Sequence, residues 1–316
     1  MRPLRLSPAT FRRLALATAA ALALTIVTGA AVRLTGSGLG CPDWPTCAGH
    51  EVVAAWSFHP MVEFTNRLIV TAVSILVAVT ALGSLVRRPR RKDLTWLSFG
   101  LVAGVAAQIV LGGLTVLFKL APPLVMGHFL LSLVVLADAL VLVHRCGRAE
   151  TAAVLMVPRS LLWLTRLVVA TTSVVIGLGT AVTGSGPHSG DIHAKRLAVK
   201  FSAMAEIHAT VVMLLIGLTL GALFAYHQAS APVGLQRKAR ILLYLMVGQG
   251  LVGYVQYFTR VPAGLVAVHV AGATAVFIGV VRLYLALFIH PPPEVTSASE
   301  GVRDVASDQP YVLAGN

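Results

Sequence analysis

The sequence predicts an all-α integral membrane protein: eight transmembrane helices arranged as two pseudo-symmetric parallel four-helix bundles, both termini cytoplasmic. Three observations lead there. The chain of 316 residues is 57% hydrophobic and 12% charged, where soluble domains carry about 25% charged residues. Eight apolar runs each approach the roughly 20 residues that a helix needs to cross a bilayer. Landmarks of the first half recur, in the same order, in the second. A soluble chain of this length could bury a core but could not clothe it in polar side chains, so the apolar excess faces lipid.

The apolar runs fall at about 14–32, 61–86, 94–118, 123–144, 161–183, 201–226, 240–259 and 262–289, with short stretches rich in proline, glycine and charge marking the helix ends between them. The first run follows Arg12-Arg13 and resembles a signal peptide. It is longer than an h-region and no small-x-small cleavage site clearly follows, so it is expected to remain as the first helix.

A formal net charge of +13 and a pI near 10.5 would suggest nucleic acid in a soluble protein. Here the cations gather in alternate segments: Arg2, Arg5, Arg12 and Arg13; the run RRPRRK at 87–92; Arg145, Arg148, Arg159 and Arg166; Arg237, Lys238 and Arg240; Arg282 and Arg303. These are eighteen of the 25 Lys and Arg. By the positive-inside rule the distribution reports topology, with the basic segments in the cytoplasm. Five dispersed segments make no nucleic-acid stripe. Residues 291–316, beyond His290, are polar and read as a disordered cytoplasmic tail.

The internal repeat sets the domain organisation. TGSG stands at 35–38, after the first run, and again at 183–186, after the fifth. Gln108 opens QIVLG and Gln249 opens QGLVG; His128 and His269 each follow their glutamine by the same interval, shortly after Pro123 and Pro262. The offset is 148 residues at TGSG and 141 at the Gln and His positions. Each half holds an even number of spans, so the repeats are parallel, related by an axis along the membrane normal. The expected units are 1–150, a four-helix half with the outer cysteine loop; 151–290, a second four-helix half; and the tail.

Extending the offset pairs His208 with Asn66. Asn66, His128, His208 and His269 all lie near the starts of even-numbered helices that run from outside to inside, at one depth in the outer leaflet. Polar residues within spans usually face a bundle interior. One such histidine is most often bonded to a neighbouring helix, but His208 and His269 at matched depth are what a six-coordinate haem iron requires. Zinc would want further Cys, His or carboxylate ligands nearby, and the second half offers few. Asn66 and His128 are expected to face each other in the first half. Gln108 and Gln249 read as interhelical hydrogen-bond donors. His144, His227 and His290 read as interfacial; His50, His59, His188 and His193 lie in outer loops.

The first outer loop reads RLTGSGLGCPDWPTCAGH. Cys41 and Cys47, on the oxidising side, can form a structural disulfide or a redox-active pair beside the substrate; Cys146 reads as a free thiol. Glu63, one turn before Asn66 in EFTNR, is expected to point the same way and is a candidate proton acceptor. Arg67 would meet either a haem propionate or a lipid headgroup.

TGSGLGCPDWPTC after the first helix, EFTNR on the second, and His128, His208 and His269 together resemble the haem A synthase family, over residues 14–289. The resemblance implies oxidation of the C8 methyl group of haem O to a formyl group, giving haem A for terminal oxidases. It implies haem b ligated by His208 and His269, haem O as substrate beside His128 with Asn66 and Arg67, Glu63 as the acidic residue of the reaction, and Cys41 and Cys47 as the extracytoplasmic pair. The implied location is the cell membrane. Implied partners are a haem O-producing enzyme (haem O synthase) and terminal oxidase assembly factors, besides membrane lipid. One departure stands out: the widespread family motif is E-x-x-H-R, and this chain has Asn66 where that histidine belongs. Asparagine is a poor axial ligand for iron, so the substrate iron is expected to take His128 alone, or with His59 or water. A non-catalytic di-haem b electron-transfer cytochrome explains His208 and His269 equally well but leaves Glu63 and the cysteine loop without a role. A parallel-repeat transporter would favour broken helices at mid-membrane.

Overall fold

The computed structural model describes residues 5–49 and 51–291. The tail expected beyond His290 falls almost wholly outside them, as do Arg2, His50 and Arg303. The order is α1 (Pro8–Leu34), α2 (Phe58–Val86), α3 (Lys92–Leu117), α4 (Pro122–Cys146), β1 (Val154–Leu155), α5 (Arg159–Ser185), α6 (Phe201–Gln228), α7 (Val233–Phe258), α8 (Ala263–Leu285) and β2 (Phe288–Ile289). All eight helices are long and apolar enough to cross a membrane, and the chain is a multi-pass membrane protein. Large apolar side chains such as Leu82, Trp96, Val134, Leu251 and Phe258 stand exposed along them, as a lipid-facing surface requires.

The helices outrun the apolar stretches that announce them. α1 begins at Pro8 rather than near 14, because Ser7 caps it by accepting a hydrogen bond from the Thr10 amide at 3.2 Å and Pro8 suits the first helical position. α7 begins at Val233, seven residues before the apolar run, with Arg237 and Lys238 inside its first turns. Hydropathy marks the part of a helix in hydrocarbon; backbone bonding carries the helix on into the interface. The reverse happens at α8. It ends at Leu285, and Phe288–Ile289 pair antiparallel with Val154–Leu155, a short ladder in a chain expected to be wholly helical. It ties the segment after α8 to the linker between α4 and α5.

Within residues 5–146, neighbouring helices pack in sequence and α1 closes on α4; α5–α8 do the same, with α5 closing on α8. Across the middle the contacts are α1 with α8, α4 with α5, and α4 with α8. The buried side chains follow suit. One cluster, from Phe11 to Leu142, draws only on the first set; another, from Val157 to Leu287, only on the second. A third joins Ile26, Leu133 and Leu136 to Ile176, Val270, Phe277 and Ile278.

The turns between α3 and α4 and between α7 and α8 repeat each other in detail. Lys119-Leu120 and Arg260-Val261, 141 residues apart, are both pairs in the left-handed region, with φ between 49° and 63°. In both, the second residue's amide reaches back five residues: Leu120 to the Thr115 carbonyl at 2.7 Å and Val261 to the Gln256 carbonyl at 2.6 Å. Leu120 then fills the space between the two loops, where a Cβ on Gly38 or Gly190 would sit about 3 Å from its side chain; the Gly38 amide donates to the Gly190 carbonyl at 2.9 Å.

Left-handed conformation costs an L-residue about 1–2 kcal/mol, and Lys119 and Arg260 are exposed. Lys119→Gly and Arg260→Gly should each therefore raise stability by about 0.5–1 kcal/mol after glycine's own entropy cost, seen as a higher melting temperature in detergent. A fall in both would contradict the turn geometry.

Candidate active site

The helix ends that carry the disulfide loop hold the polar residues. Asn66, His128, His208 and His269 lie six to eight residues past the starts of α2, α4, α6 and α8, or roughly 9–12 Å along each axis. The four positions share one depth.

In the second half, His208 and His269 face each other with ring centroids 6.5 Å apart and planes at 66°. Small residues make room for both rings. A Cβ on Gly179 of α5 would lie 3.3 Å from His208 Cε1, and one on Gly253 of α7 would lie 3.3 Å from His269 Cε1. His208 Nδ1 lies 3.1 Å from the Val175 carbonyl, a bond that fixes the ring and leaves Nε2 free to ligate. On α7, Gln249 donates from Nε2 to the His269 carbonyl at 2.5 Å, while His269 Nδ1 is buried without a partner. Two imidazoles on one metal, each at about 2 Å from nitrogen to metal, set their centroids about 6 Å apart. The residues present fit a bis-histidine haem.

The first half repeats the frame. Gln108 donates from Nε2 to the His128 carbonyl at 3.1 Å and to Ser132 Oγ at 2.8 Å, so both glutamines are the interhelical donors expected of them. A Cβ on Gly112 would lie 3.1 Å from His128 Cε1, and His128 Nδ1 is buried without a partner. The facing residue differs. Asn66 lines a wide-open groove of about 570 Å³ between α1 and α2, with Thr28, Ala31, Trp56, Met61 and Thr65 among its walls; its Oδ1 is buried and unpartnered. His128 is not among the residues that line this groove.

Glu63 also departs from expectation. Rather than pointing with Asn66, it turns toward the cysteine loop and is 6% exposed. Its Oε2 accepts from the Cys41 amide at 2.8 Å and its Oε1 from Arg67 at 2.6 Å. The physical reason is angular: three residues along a helix leave a 60° divergence, enough to send Asn66 to the α1 side and Glu63 to the loop. Arg67, expected at a propionate or headgroup, donates instead to the carbonyls of Thr46 at 2.8 Å, Cys41 at 3.0 Å and Asp43 at 3.1 Å. Cys41 and Cys47 form a disulfide with Cα atoms 4.2 Å apart; with Ala54, and with Met61 and Phe64 of α2, they make a small buried cluster. Gly40 permits the close approach, since a Cβ there would fall 2.4 Å from the His59 carbonyl oxygen. His59 is exposed and its Nδ1 lies 3.0 Å from Ser37 Oγ.

Two groups escaped sequence reasoning. Arg33, in the last turn of α1, donates to the Thr183 carbonyl of α5 at 2.7 Å, linking the two TGSG segments. Its signal was available: a cation two residues before the first TGSG where the second has Ala181. Asp138 lies inside α4, a carboxylate within a span and so a signal in itself. Among the described residues no group of three or more His, Cys, Asp or Glu side chains gathers to hold a metal ion; Cys146 is a half-buried free thiol.

A family model described as COX15-CtaA, cytochrome oxidase assembly protein, matches residues 12–57 and 53–187, more than half of the chain. Among curated proteins, the chain is 37% identical over 145 residues to a heme A synthase of Symbiobacterium thermophilum, covering 45% of this chain and 46% of that one. It is 34% identical over 136 residues to a heme A synthase of Geobacillus kaustophilus (41% and 42%), and 28% over 172 residues to one of Lysinibacillus sphaericus (53% and 56%). The matched part thus spans about half the length of these relatives.

Arg67→Ala would strand a buried carboxylate and free three loop carbonyls, a loss of about 3 kcal/mol by the measure of broken buried pairs. The expected result is a lower melting temperature and rapid protease cleavage within residues 41–49. Arg67→Lys, a point charge in place of a fork, should recover only part of the protection. Cleavage as slow as in the wild type would contradict the clamp.

Proposed function

The chain belongs to the COX15-CtaA family of cytochrome oxidase assembly proteins, and on that footing we propose that it is a haem A synthase, a membrane oxidoreductase that oxidises the C8 methyl group of haem O to a formyl group. The observation that carries this reading is the inequality of two repeated halves. Both have a glutamine holding the backbone of a histidine at one depth. Only the second sets another histidine opposite it; the first has Asn66 on an open groove and Glu63 beneath a disulfide loop. A pure electron carrier has no use for that difference.

In this reading residues 151–290 are the cofactor half and residues 1–150 the substrate half, two parallel bundles related by a pseudo-twofold axis. The cross-contacts support it, because α1 with α8 and α5 with α4 exchange under such an axis. His208 and His269 hold haem b, and that group supplies one-electron redox chemistry when bound. His128 stands beside the substrate iron. Asn66 lines the substrate side without offering a strong ligand, and the exposed His59, tied to Ser37, stays apart from the iron. Glu63 accepts protons released as the methyl group is oxidised, held in place by Arg67 and the Cys41 amide. Arg67 acts on the substrate through that loop rather than by direct contact. The basic ends, including Arg91 and Arg145 on Asp93, lie in the cytoplasm of a cell membrane by the positive-inside rule, with the disulfide loop on the other side. Haem O arrives from a haem O-producing enzyme and haem A passes toward terminal oxidase assembly.

Co-expression with a haem O source, followed by chromatography of extracted haems, tests this. Haem A is expected from the wild type and should fall at least tenfold in Glu63→Gln, as for loss of a proton-transfer group. Haem B alone, from an intact protein supplied with haem O, would favour the electron-transfer cytochrome.

A further inference from the structure

Two polar side chains near the histidine pair of the second half hold atoms that bond to nothing. Arg33, in the last turn of α1, donates to the Thr183 carbonyl at 2.7 Å, while its Nε is buried without a partner. Its stem packs against the Gly190 loop, where a Cβ would lie 3.5 Å from Arg33 Cγ. The ion pairs among the described residues are Glu63–Arg67, Asp93–Arg91 and Asp93–Arg145, so none of their carboxylates answers this guanidinium. Arg166, Glu206 and Arg240 also lack ion pairs within helices, but all three residues are exposed. The second side chain is Gln256, near the end of α7, whose Oε1 is buried without a partner.

Both stand about one turn outward of the seats of the two imidazoles. On α5, Val175, Gly179 and Thr183 are four apart and share one face. The Val175 carbonyl lies 3.1 Å from His208 Nδ1, Gly179 seats the same ring, and Thr183 takes Arg33. The guanidinium is thus fixed about 6 Å beyond Gly179, toward the end that carries the disulfide loop. On α7, Gly253 seats the His269 ring. Gln256 follows three residues later on the same side of the helix, about 4.5 Å nearer that end. Neither residue recurs in the other half. The 148-residue offset takes Arg33 to Ala181. The 141-residue offset takes Gln256 back to Thr115, whose hydroxyl donates to the Gly112 carbonyl of its own helix at 2.6 Å. The unpartnered pair accompanies the half with two facing histidines.

A buried polar group without a partner costs free energy that a ligand of the right chemistry restores. A haem brings two carboxylates on one edge of its ring. We propose, on the footing that His208 and His269 ligate haem b, that Arg33 and Gln256 hold its two propionates. The first half thereby contributes a cofactor-binding residue to the second. Arg33 makes a charge-assisted hydrogen bond to one carboxylate. Gln256 donates to the other, because a half-turn of its amide sets Nε2 where Oε1 now stands. Both carboxylates then face the disulfide-loop end, which fixes the rotation of the ring about the axis through the two imidazoles.

The full chain, produced haem-free in haem-deficient cells, can be titrated with haem b and with its dimethyl ester, which keeps iron and ring but has no carboxylate. The low-spin absorption of bis-imidazole iron reads binding. The wild type should bind haem b roughly tenfold or more tightly than the ester, as for one charge-assisted hydrogen bond. Arg33→Gln combined with Gln256→Leu should bind both alike, with affinity for the ester unchanged. Equal binding of the two by the wild type would overturn the proposal. So would a preference that survives the double substitution, the result expected if Arg33 only ties α1 to α5. Binding of neither haem by the wild type would remove the ligation by His208 and His269 as well. Should the double variant fail to fold, redox titration of haem b in the single variants decides. Arg33→Gln should lower the midpoint potential by roughly 59 mV, a tenfold change for one electron, and Arg33→Lys should stay close to the wild type. An unchanged potential in Arg33→Gln overturns the proposal.

Discussion

The Glu63–Arg67 ion pair is the interaction on which the loop end of the first half depends. The described residues between 35 and 57 contain no helix or extended strand, and a disulfide between residues six apart closes only a small ring. What seats that ring on α2 is a pair four residues apart on one helix: Glu63 takes the Cys41 amide, and Arg67 takes three carbonyls of the same loop. Backbone groups of the loop are thereby bonded, and an ion pair whose side chains are 7% and 24% exposed is matched by hydrogen bonds, the condition under which such a pair is tolerated. Substituting Arg67 would leave Glu63 buried without its charge partner.

Around that clamp, the two sets of helices share local details and differ at a few positions. The frame is visible in details that sequence offset alone does not require: the same pair of left-handed residues at two turns, and a glutamine on the preceding helix bonded to the same histidine carbonyl. The substitutions are few. Asn66 replaces a histidine, the cysteine loop replaces a shorter connection, and Asp138 and Arg166 stand where the other half has Gly279 and Thr18.

Much of this was legible in the sequence because membrane spans advertise themselves. Lipid forbids polar side chains without a reason, so the eight runs and the few polar residues within them stand out. His208 and His269 were found by depth and offset alone. Orientation was harder. Spacing places Glu63 and Asn66 on nearly one face, yet the loop's backbone draws Glu63 one way while Asn66 lines the open α1–α2 groove on the other. That competition is set by a loop with no periodicity to read. The pairing of β1 with β2 was illegible for a similar reason: two-residue strands leave no alternation, and tertiary proximity creates them. Asp138 carries a strong sequence signal, a carboxylate inside a span, but it stands outside the recurring pattern, since the second half has Gly279 at the same offset.

The central claim is that two halves alike in build are unequal in ligation. Electron paramagnetic resonance of the purified protein loaded with haem b alone tests it most directly. The account predicts one low-spin signal typical of two axial imidazoles, lost in His208→Ala and in His269→Ala and retained in His128→Ala. Two such signals in the wild type, or one that survives His208→Ala, would contradict it.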